Sequence, residues 1–472
     1  METGIFMPTV ISIKDKKKTI KGEIIRAAIF ARGNVIEVNT EDSERFYFIY
    51  YKNTLIYGNK LDKVEEGSFI DKAFYEGIVI KSPHPLLTPL TPNSSITIPN
   101  KNKLFSQLQI HYSLEEMAYI ATTLDSFFEK EQIITIIDKV YFHFRRNGSF
   151  MKSFQVIQIL SDFSPTLKSA QERMNLQEFN KYRDLYQSSN LPSILKTDPL
   201  FVELQCFKDR INPEKQLLLK DILREQDGLA ELLLWLENVE KNQKVHAIEK
   251  YTTIALRLVS MEEWMQILVQ AQINPFRELS DSKRIIEKMI QTGNYENAAL
   301  SLLNFISDLP TCYDEILRKV WENSDSRFVI GHLEEFISLM KQLPDGENPS
   351  KLEQRVSQIV VILLEKHGLV SVHEKLLPFQ KLLPNSEVIR KIDKMLTLIE
   401  DPDRMMELGD YYADFKQFDK AIDCFFWEME LQPQNPSPVW KISKMYQYKG
   451  MVKEAAAYQK IYAQLQSSQE LG

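Results

Sequence analysis

One pattern occurs twice in the last part of the chain, at a spacing of 34 residues: Tyr446 follows Tyr412, and Ala455 follows Ala421. Small residues at such positions let two helices cross closely, and Gly450 supplies a turn between the helices of the second copy. A unit of this kind cannot bury its apolar face alone, so the pattern predicts a stacked helical array, an architecture that builds binding surfaces. The residues predicted to pack this array are Leu408, Gly409, Tyr412, Ala421, Phe425, Tyr446 and Ala455.

The two copies resemble the tetratricopeptide repeat, whose period is about 34 residues. Residues 402–435 keep most signature positions, although Met405 replaces the usual Trp. Residues 436–469 match in part, since Ser443 stands where Gly409 stood in the first copy. The resemblance implies a TPR-like α-helical repeat solenoid in which the first helix of each repeat lines a concave groove.

The resemblance also places six side chains in that groove. Three of them are four residues apart in the second copy and form one stripe on a helix, where aromatic rings lie beside a long cation. Such a combination is typical of peptide-binding grooves and interface hot spots, and an acidic set in the first copy suits a basic peptide. Alternatively, the aromatic rings pack against the terminal helix and the acidic set is only solvated. The predicted groove residues are Asp403, Asp410, Asp414, Trp440, Lys444 and Tyr448.

The sequence upstream of the repeats divides into three parts. Residues 1–85 are rich in β-branched and aromatic runs broken by Gly and Asn, which predicts a small β-rich domain, although Ile24–Ala31 also has a helical face. Residues 86–108 are rich in proline and are predicted to be a linker. Residues 109–400 are predicted to be a helical array with degenerate repeats, followed by the two repeats in 401–472. The predicted strands are Thr9–Ile13, Thr19–Ala28, Val35–Val38, Arg45–Tyr51, Thr54–Tyr57 and Glu76–Ile80.

Local signals within the helical part support this division. Ser113 and Glu116 have the spacing of a capping box, which predicts the start of a helix. Gly293, Tyr295 and Ala298 reproduce the turn glycine, the aromatic residue and the small crossing residue of a repeat. No period is evident in residues 165–215, and whether they belong to the array stays open.

Charge and cysteine content restrict the class of protein. The 65 acidic and 58 basic side chains give a net charge of −7, which leaves no basic excess to neutralise phosphates, so no nucleic-acid partner is predicted. No stretch approaches 18 uninterrupted apolar residues, so no membrane span is predicted. Three widely separated cysteines indicate a reducing compartment, and residues 1–7 lack the pattern of a signal peptide. A cytoplasmic protein is therefore predicted.

The sequence contains no recognisable catalytic constellation. The seven histidines lack the spacing of metal ligands, no cysteine lies near another, and glycine-rich phosphate loops and nucleophile elbows are absent. Neither a metal, a cofactor nor an enzymatic activity is predicted.

The repeats and the lack of catalytic motifs favour a non-catalytic adaptor or scaffold that binds a partner protein or peptide in the groove. Homo-oligomerisation through the array is a variant of this hypothesis. One alternative is a peptide-responsive regulatory switch, although proteins of that kind usually carry a helical output domain at the N-terminus. A second alternative is an enzyme with an unrecognised site in the N-terminal domain, where His84 is the one histidine.

Overall fold

The computed structural model describes residues 8–15, 18–91, 94–187, 190–242, 245–342, 349–380 and 382–470. Residues 1–7, on which the signal-peptide interpretation rests, lie outside the described residues. The chain divides into two compact units, Met1–Glu278 and Leu279–Gly472.

The first unit contains one mixed sheet, in the strand order β5-β4-β3-β2-β1-β7, with β6 also paired to β2. The long strand β2 pairs with β1 through its first half and with β6 through its second half, while β3 lies along its other edge. Residues 24–31, which the sequence left open between strand and helix, therefore lie mostly in β2. The strands of the described residues are β1 Val10–Asp15, β2 Lys18–Phe30, β3 Gly33–Thr40, β4 Arg45–Tyr51, β5 Thr54–Lys60, β6 Ile78–Lys81 and β7 Ser95–Thr97.

Helices surround this sheet in the same unit. Strand β4 is buried at every position from Phe46 to Tyr51, as expected for a strand covered on both faces. The helices of the unit, among the residues described, are α1 Phe69–Glu76, α2 Leu87–Leu90, α3 Leu104–His111, α4 Leu114–Thr123, α5 Lys130–Arg146, α6 Phe150–Phe163, α7 Lys168–Met174, α8 Asn180–Gln187, α9 Leu191–Leu195, α10 Pro199–Lys208, α11 Pro213–Gln226, α12 Gly228–Asn242, α13 Ile248–Ala255, α14 Met261–Gln270 and α15 Pro275–Glu278. Two 3₁₀ helices, Lys101–Lys103 and Gln177–Phe179, complete the set.

Aromatic contacts join the sheet to these helices. The ring of Phe30 in β2 packs edge-on against Phe207 in α10, with centroids 5.4 Å apart. The ring of Tyr57 in β5 lies 5.3 Å from Phe127, between α4 and α5. The β-rich segment therefore shares its core with helices that follow it in the chain, and its compact unit extends to Glu278.

The prediction that residues 86–108 form a linker is wrong. Strand β7 lies within this segment and pairs in parallel with β1, placing Ile13 beside Ile96. Leu87 and Leu104 are also buried, so the segment belongs to the core of the first unit. Proline density marked its irregular backbone correctly, but a few apolar side chains between the prolines suffice to anchor it.

The predicted capping box at the start of α4 is confirmed. Ser113 accepts a hydrogen bond from the amide of Glu116, and the Glu116 side chain accepts one from the amide of Ser113. Residues 165–215, for which the sequence gave no period, form the short helices α7 to α10 and part of α11. Their brevity explains why no helical period is evident.

A buried carboxylate holds the start of α1. Both oxygens of Asp125 accept a hydrogen bond from the amide of Phe69, at 2.9 and 3.1 Å. Burial raises the pKa of Asp125 to about 6, although this hydrogen bond and the nearby Lys72 favour the ionised form.

We expect this raised pKa to make the stability of the first unit depend on pH. The folded state binds the Asp125 proton more tightly than the unfolded chain, so this contribution is fully present below about pH 4 and is lost as the pH rises through 6. Asp125→Asn keeps an acceptor for Phe69, so it should gain up to about 2 kcal/mol relative to wild type between about pH 4 and pH 8. Urea unfolding of both proteins across this range measures the difference, and a constant difference would contradict the expectation.

The second unit is helical throughout its described residues. Its α-helices are α16 Ser282–Gln291, α17 Tyr295–Leu303, α18 Asp314–Asn323, α19 Ser326–Gly331, α20 Leu333–Gln342, α21 Pro349–Lys366, α22 Leu369–Gln380, α23 Glu387–Leu398, α24 Met405–Asp414, α25 Phe418–Leu431, α26 Pro436–Tyr448 and α27 Val452–Glu470. Its 3₁₀ helices are Ile306–Asp308, Thr311–Tyr313 and Pro402–Arg404. Helices α21 to α27 each contact the next helix in the chain, which is compatible with a helical repeat.

The same turn joins three helix pairs in the second unit. A residue in the left-handed region ends the first helix of each pair: Gly293 (φ 77°), Lys416 (φ 57°) and Gly450 (φ 75°). The amide of the next residue donates to the carbonyl five positions back, the arrangement of a Schellman motif. These hydrogen bonds run from Asn294 to Met289, from Gln417 to Tyr412 and from Met451 to Tyr446.

The predicted fold class, mainly α with a β-rich N-terminal part, is confirmed by these elements. Within the described parts of the chain, no helix combines the length and the apolar character that crossing a membrane requires.

Candidate functional site

The aromatic residues predicted to line a groove lie on α26 with much of their surface exposed. Trp440 is 41% exposed and Tyr448 is 64% exposed. The Lys444 ammonium lies 3.9 Å from the centroid of the Trp440 ring, in a cation–π contact. The Tyr448 ring stacks on Phe418 at the start of α25, with centroids 5.5 Å apart. Each ring therefore has one supporting contact and keeps area open to a partner.

Two of the three predicted acidic residues form ion pairs within the second unit. Asp410 in α24 accepts hydrogen bonds from Lys441 in α26, at 2.5 and 2.6 Å. Asp414 pairs with Lys391 of α23 at 2.7 Å, and this hydrogen bond raises the pKa of the lysine. Asp403 is exposed in the 3₁₀ helix ahead of α24. The pair between Asp410 and Lys441 links the first helices of the two successive hairpins.

The residues predicted to pack the repeats lie inside the hairpins, with one exception. Six of them are buried: Leu408, Gly409, Tyr412, Ala421, Phe425 and Ala455. Tyr446 is half-buried, and its ring stacks on Tyr458 of α27 with centroids 5.5 Å apart. The closest approach is at Gly409, where an added Cβ would lie 2.4 Å from the Phe425 ring.

The first unit contains a charged cavity of about 300 Å³ that the sequence did not indicate. Two hairpin turns form one side of it: Arg32 lies between β2 and β3, and Lys52 lies between β4 and β5. Ala31, Lys52 and Asn53 have positive φ angles, so these tight turns hold the backbone in the left-handed region. The N-terminus of α4, one face of α6 and the first turns of α10 form the other sides.

A buried ion network separates this cavity from a second one of about 440 Å³. The Arg32 side chain is 7% exposed and donates to Glu203, which is 1% exposed, at 2.5 Å. Burial alone would lower the pKa of Arg32, but the Glu203 carboxylate outweighs it and raises this pKa. Glu116 accepts from Lys52 at 2.6 Å and from the Tyr51 hydroxyl at 3.1 Å. The network fixes the two hairpin turns against α4 and α10.

The far wall of the first cavity carries two acidic residues. Asp198 caps α10 by accepting from the Phe201 amide at 3.0 Å and also accepts from the Tyr186 hydroxyl at 2.7 Å. Asp162 lies near the end of α6, at the mouth of the cavity. Burial raises the pKa of both carboxylates above the ordinary range for aspartate. Their charges are therefore only partly compensated by the protein.

Sequence reasoning missed this cavity because its lining residues come from five separate segments between positions 32 and 208. The one local signal was the turn chemistry at Lys52–Asn53, which marks a hairpin and says nothing of its neighbours.

The remaining side chains singled out in the sequence have structural environments. His84 accepts a hydrogen bond from the Leu86 amide at 3.1 Å, and burial lowers its pKa to about 4. Cys206 and Cys424 are buried, which raises the pKa of each thiol to about 11, whereas Cys312 is exposed. No cluster suited to a metal ion occurs among the residues that the structure describes.

Comparison with known proteins adds no identity: no protein-family model matches this chain, and no curated protein matches it.

Proposed function

We propose that this protein is a non-catalytic, cytoplasmic adaptor that binds a partner protein or peptide through its C-terminal helical hairpins. Residues 402–469 would act as two tetratricopeptide-like repeats, and α24 and α26 would line their groove. The 34-residue recurrence, the buried packing positions and the shared Schellman turns support this assignment.

The observation that carries the proposal is the exposed aromatic stripe on α26. Trp440 and Tyr448 are more than a third exposed, yet Lys444 and Phe418 hold their rings in place. Exposed aromatic side chains with little remaining freedom lose little entropy on binding, and they are enriched at interface hot spots.

The charge of the second unit indicates the chemistry of the partner. Residues 279–472 contain 23 basic and 29 acidic side chains, a net charge of −6. Asp403, Asp410 and Asp414 lie along α24 and the 3₁₀ helix before it. We therefore propose a segment that combines apolar side chains for the aromatic stripe with Lys or Arg for the acidic residues.

Peptide display against the intact protein tests this proposal. We expect selected peptides to combine basic residues with aromatic or aliphatic ones. The double substitution Trp440→Ala/Tyr448→Ala should weaken their binding by at least roughly tenfold, because truncated hot-spot aromatics cost more than about 1 kcal/mol each. Titration calorimetry measures the affinities.

Trp427→Ala provides the matched control, because Trp427 is also exposed, at 49%, but lies on α25. It should change the affinity by less than about twofold. Circular dichroism establishes that each variant is folded. Selection of acidic peptides, or equal binding by the double variant and wild type, would overturn the proposal.

A further inference from the structure

The charges around the first cavity do not cancel. Three ion pairs account for most of them, since Arg32 pairs with Glu203, Lys52 with Glu116, and Lys152 with Glu115. The charged lining residues that remain are Asp162, Asp198 and Lys208, whose sum is −1. One positive charge would therefore neutralise the cavity.

An unused hydrogen-bond acceptor lies on the same wall. The side-chain oxygen of Gln158 is buried and has no hydrogen-bond partner among the described residues. Gln158 precedes Asp162 by four positions in α6, so the two side chains lie on one face of that helix and both line the cavity. A buried acceptor without a partner costs about 1–3 kcal/mol, which a bound donor would recover.

The rest of the lining is suited to an apolar stem. Ile159 lies beside Gln158 on α6, and Leu200, Phe201 and Leu204 face the cavity from α10. The volume of about 300 Å³ is at the lower end of the range for small-molecule pockets. The cavity therefore has room for a ligand of a few heavy atoms beyond its charged head.

We propose that this cavity binds a monocation carried on a short alkyl stem, either a primary ammonium or a guanidinium. The charged head donates hydrogen bonds to Gln158 and Asp162 at the cavity wall, with Asp198 adding to the negative potential. The stem packs against Ile159 and the leucines of α10. This chemistry belongs both to small free amines and to the side chains of Lys and Arg in a peptide, and it is independent of the α26 surface.

Titration calorimetry of the full-length protein with n-butylguanidinium tests the proposal. A ligand of this size is expected to bind with a Kd of about 1 mM. Neutral n-butanol and anionic butyrate serve as probes of the same length, and neither should bind. Asp162→Asn should weaken n-butylguanidinium binding by roughly tenfold, because it removes the charge that the ligand neutralises. Gln158→Leu should weaken it as well.

Asp221→Asn is the matched control, because Asp221 is an exposed carboxylate of α11 that does not line the cavity. It should leave the affinity unchanged, and thermal unfolding establishes that all three variants are folded. Nα-acetylarginine amide distinguishes the two sources of the ligand: tighter binding than n-butylguanidinium identifies a peptide side chain, and weaker binding identifies a free amine. Preference for butyrate, no binding of any cation, or equal binding by Asp162→Asn and wild type would overturn the proposal.

Discussion

Replacing Glu203 by alanine is expected to lower the free energy of unfolding of the first unit by about 3–5 kcal/mol. The Glu203 carboxylate is 1% exposed and pairs at 2.5 Å with Arg32, whose side chain is 7% exposed. Without Glu203 the guanidinium stays buried, with Glu116 at 3.7 Å as its remaining carboxylate in the network. A buried charge that loses its close partner keeps its full desolvation penalty, which is the reason for the large effect.

Hydrogen exchange of the β2 and β3 amides measures this loss within the first unit, separately from the unfolding of the second. Lys60→Ala is the matched control, because it breaks the exposed pair with Glu44, whose side chains are 43% and 36% exposed. An exposed pair contributes less than about 1 kcal/mol. Replacing both Arg32 and Glu203 by leucine should recover most of the loss. If Glu203→Ala costs no more than Lys60→Ala, the ion network does not stabilise the hairpin turns.

The sheet was largely predictable because its signals are local. The runs 45–51 and 54–57 were predicted as strands, and they correspond to β4 and part of β5. The helical face in Ile24–Ala31 was ambiguous because alanine and isoleucine suit both structures, and pairing with β3 and β6 decided it. The helix Phe69–Glu76 was not predicted, since only its cap at Ser68 and the distant Asp125 define its start.

The errors lie where contacts are distant in the chain. Strand β7 pairs with β1 about 80 residues earlier, and composition alone cannot reveal such a partner. The charged cavity depends on the same kind of contact, because Arg32 and Glu203 are 171 positions apart. In α24 to α27, by contrast, each helix packs on its neighbour, so a 34-residue pattern contains most of the information that specifies the packing.

That local packing leads to the second large expected effect, at Gly409. Its substitution by alanine should destabilise the second unit by about 3 kcal/mol. The new Cβ would lie 2.4 and 2.8 Å from two atoms of the Phe425 ring, which is fully buried. Alanine is otherwise the better helix former by about 1 kcal/mol, so any net loss must come from the contact between α24 and α25.

Gly331→Ala isolates the helix-propensity effect, since Gly331 lies at the end of α19 and an added Cβ meets no atom within 4 Å. That control should be neutral or stabilising by up to about 1 kcal/mol. Combining Gly409→Ala with Phe425→Leu should cost less than the sum of the two single substitutions, because the smaller side chain makes room for the methyl group. Urea unfolding of the four variants measures these differences. Equal effects of alanine at Gly409 and Gly331 would show that the two helices do not need this close approach. The glycine shared by the sequence pattern would then have a role other than packing.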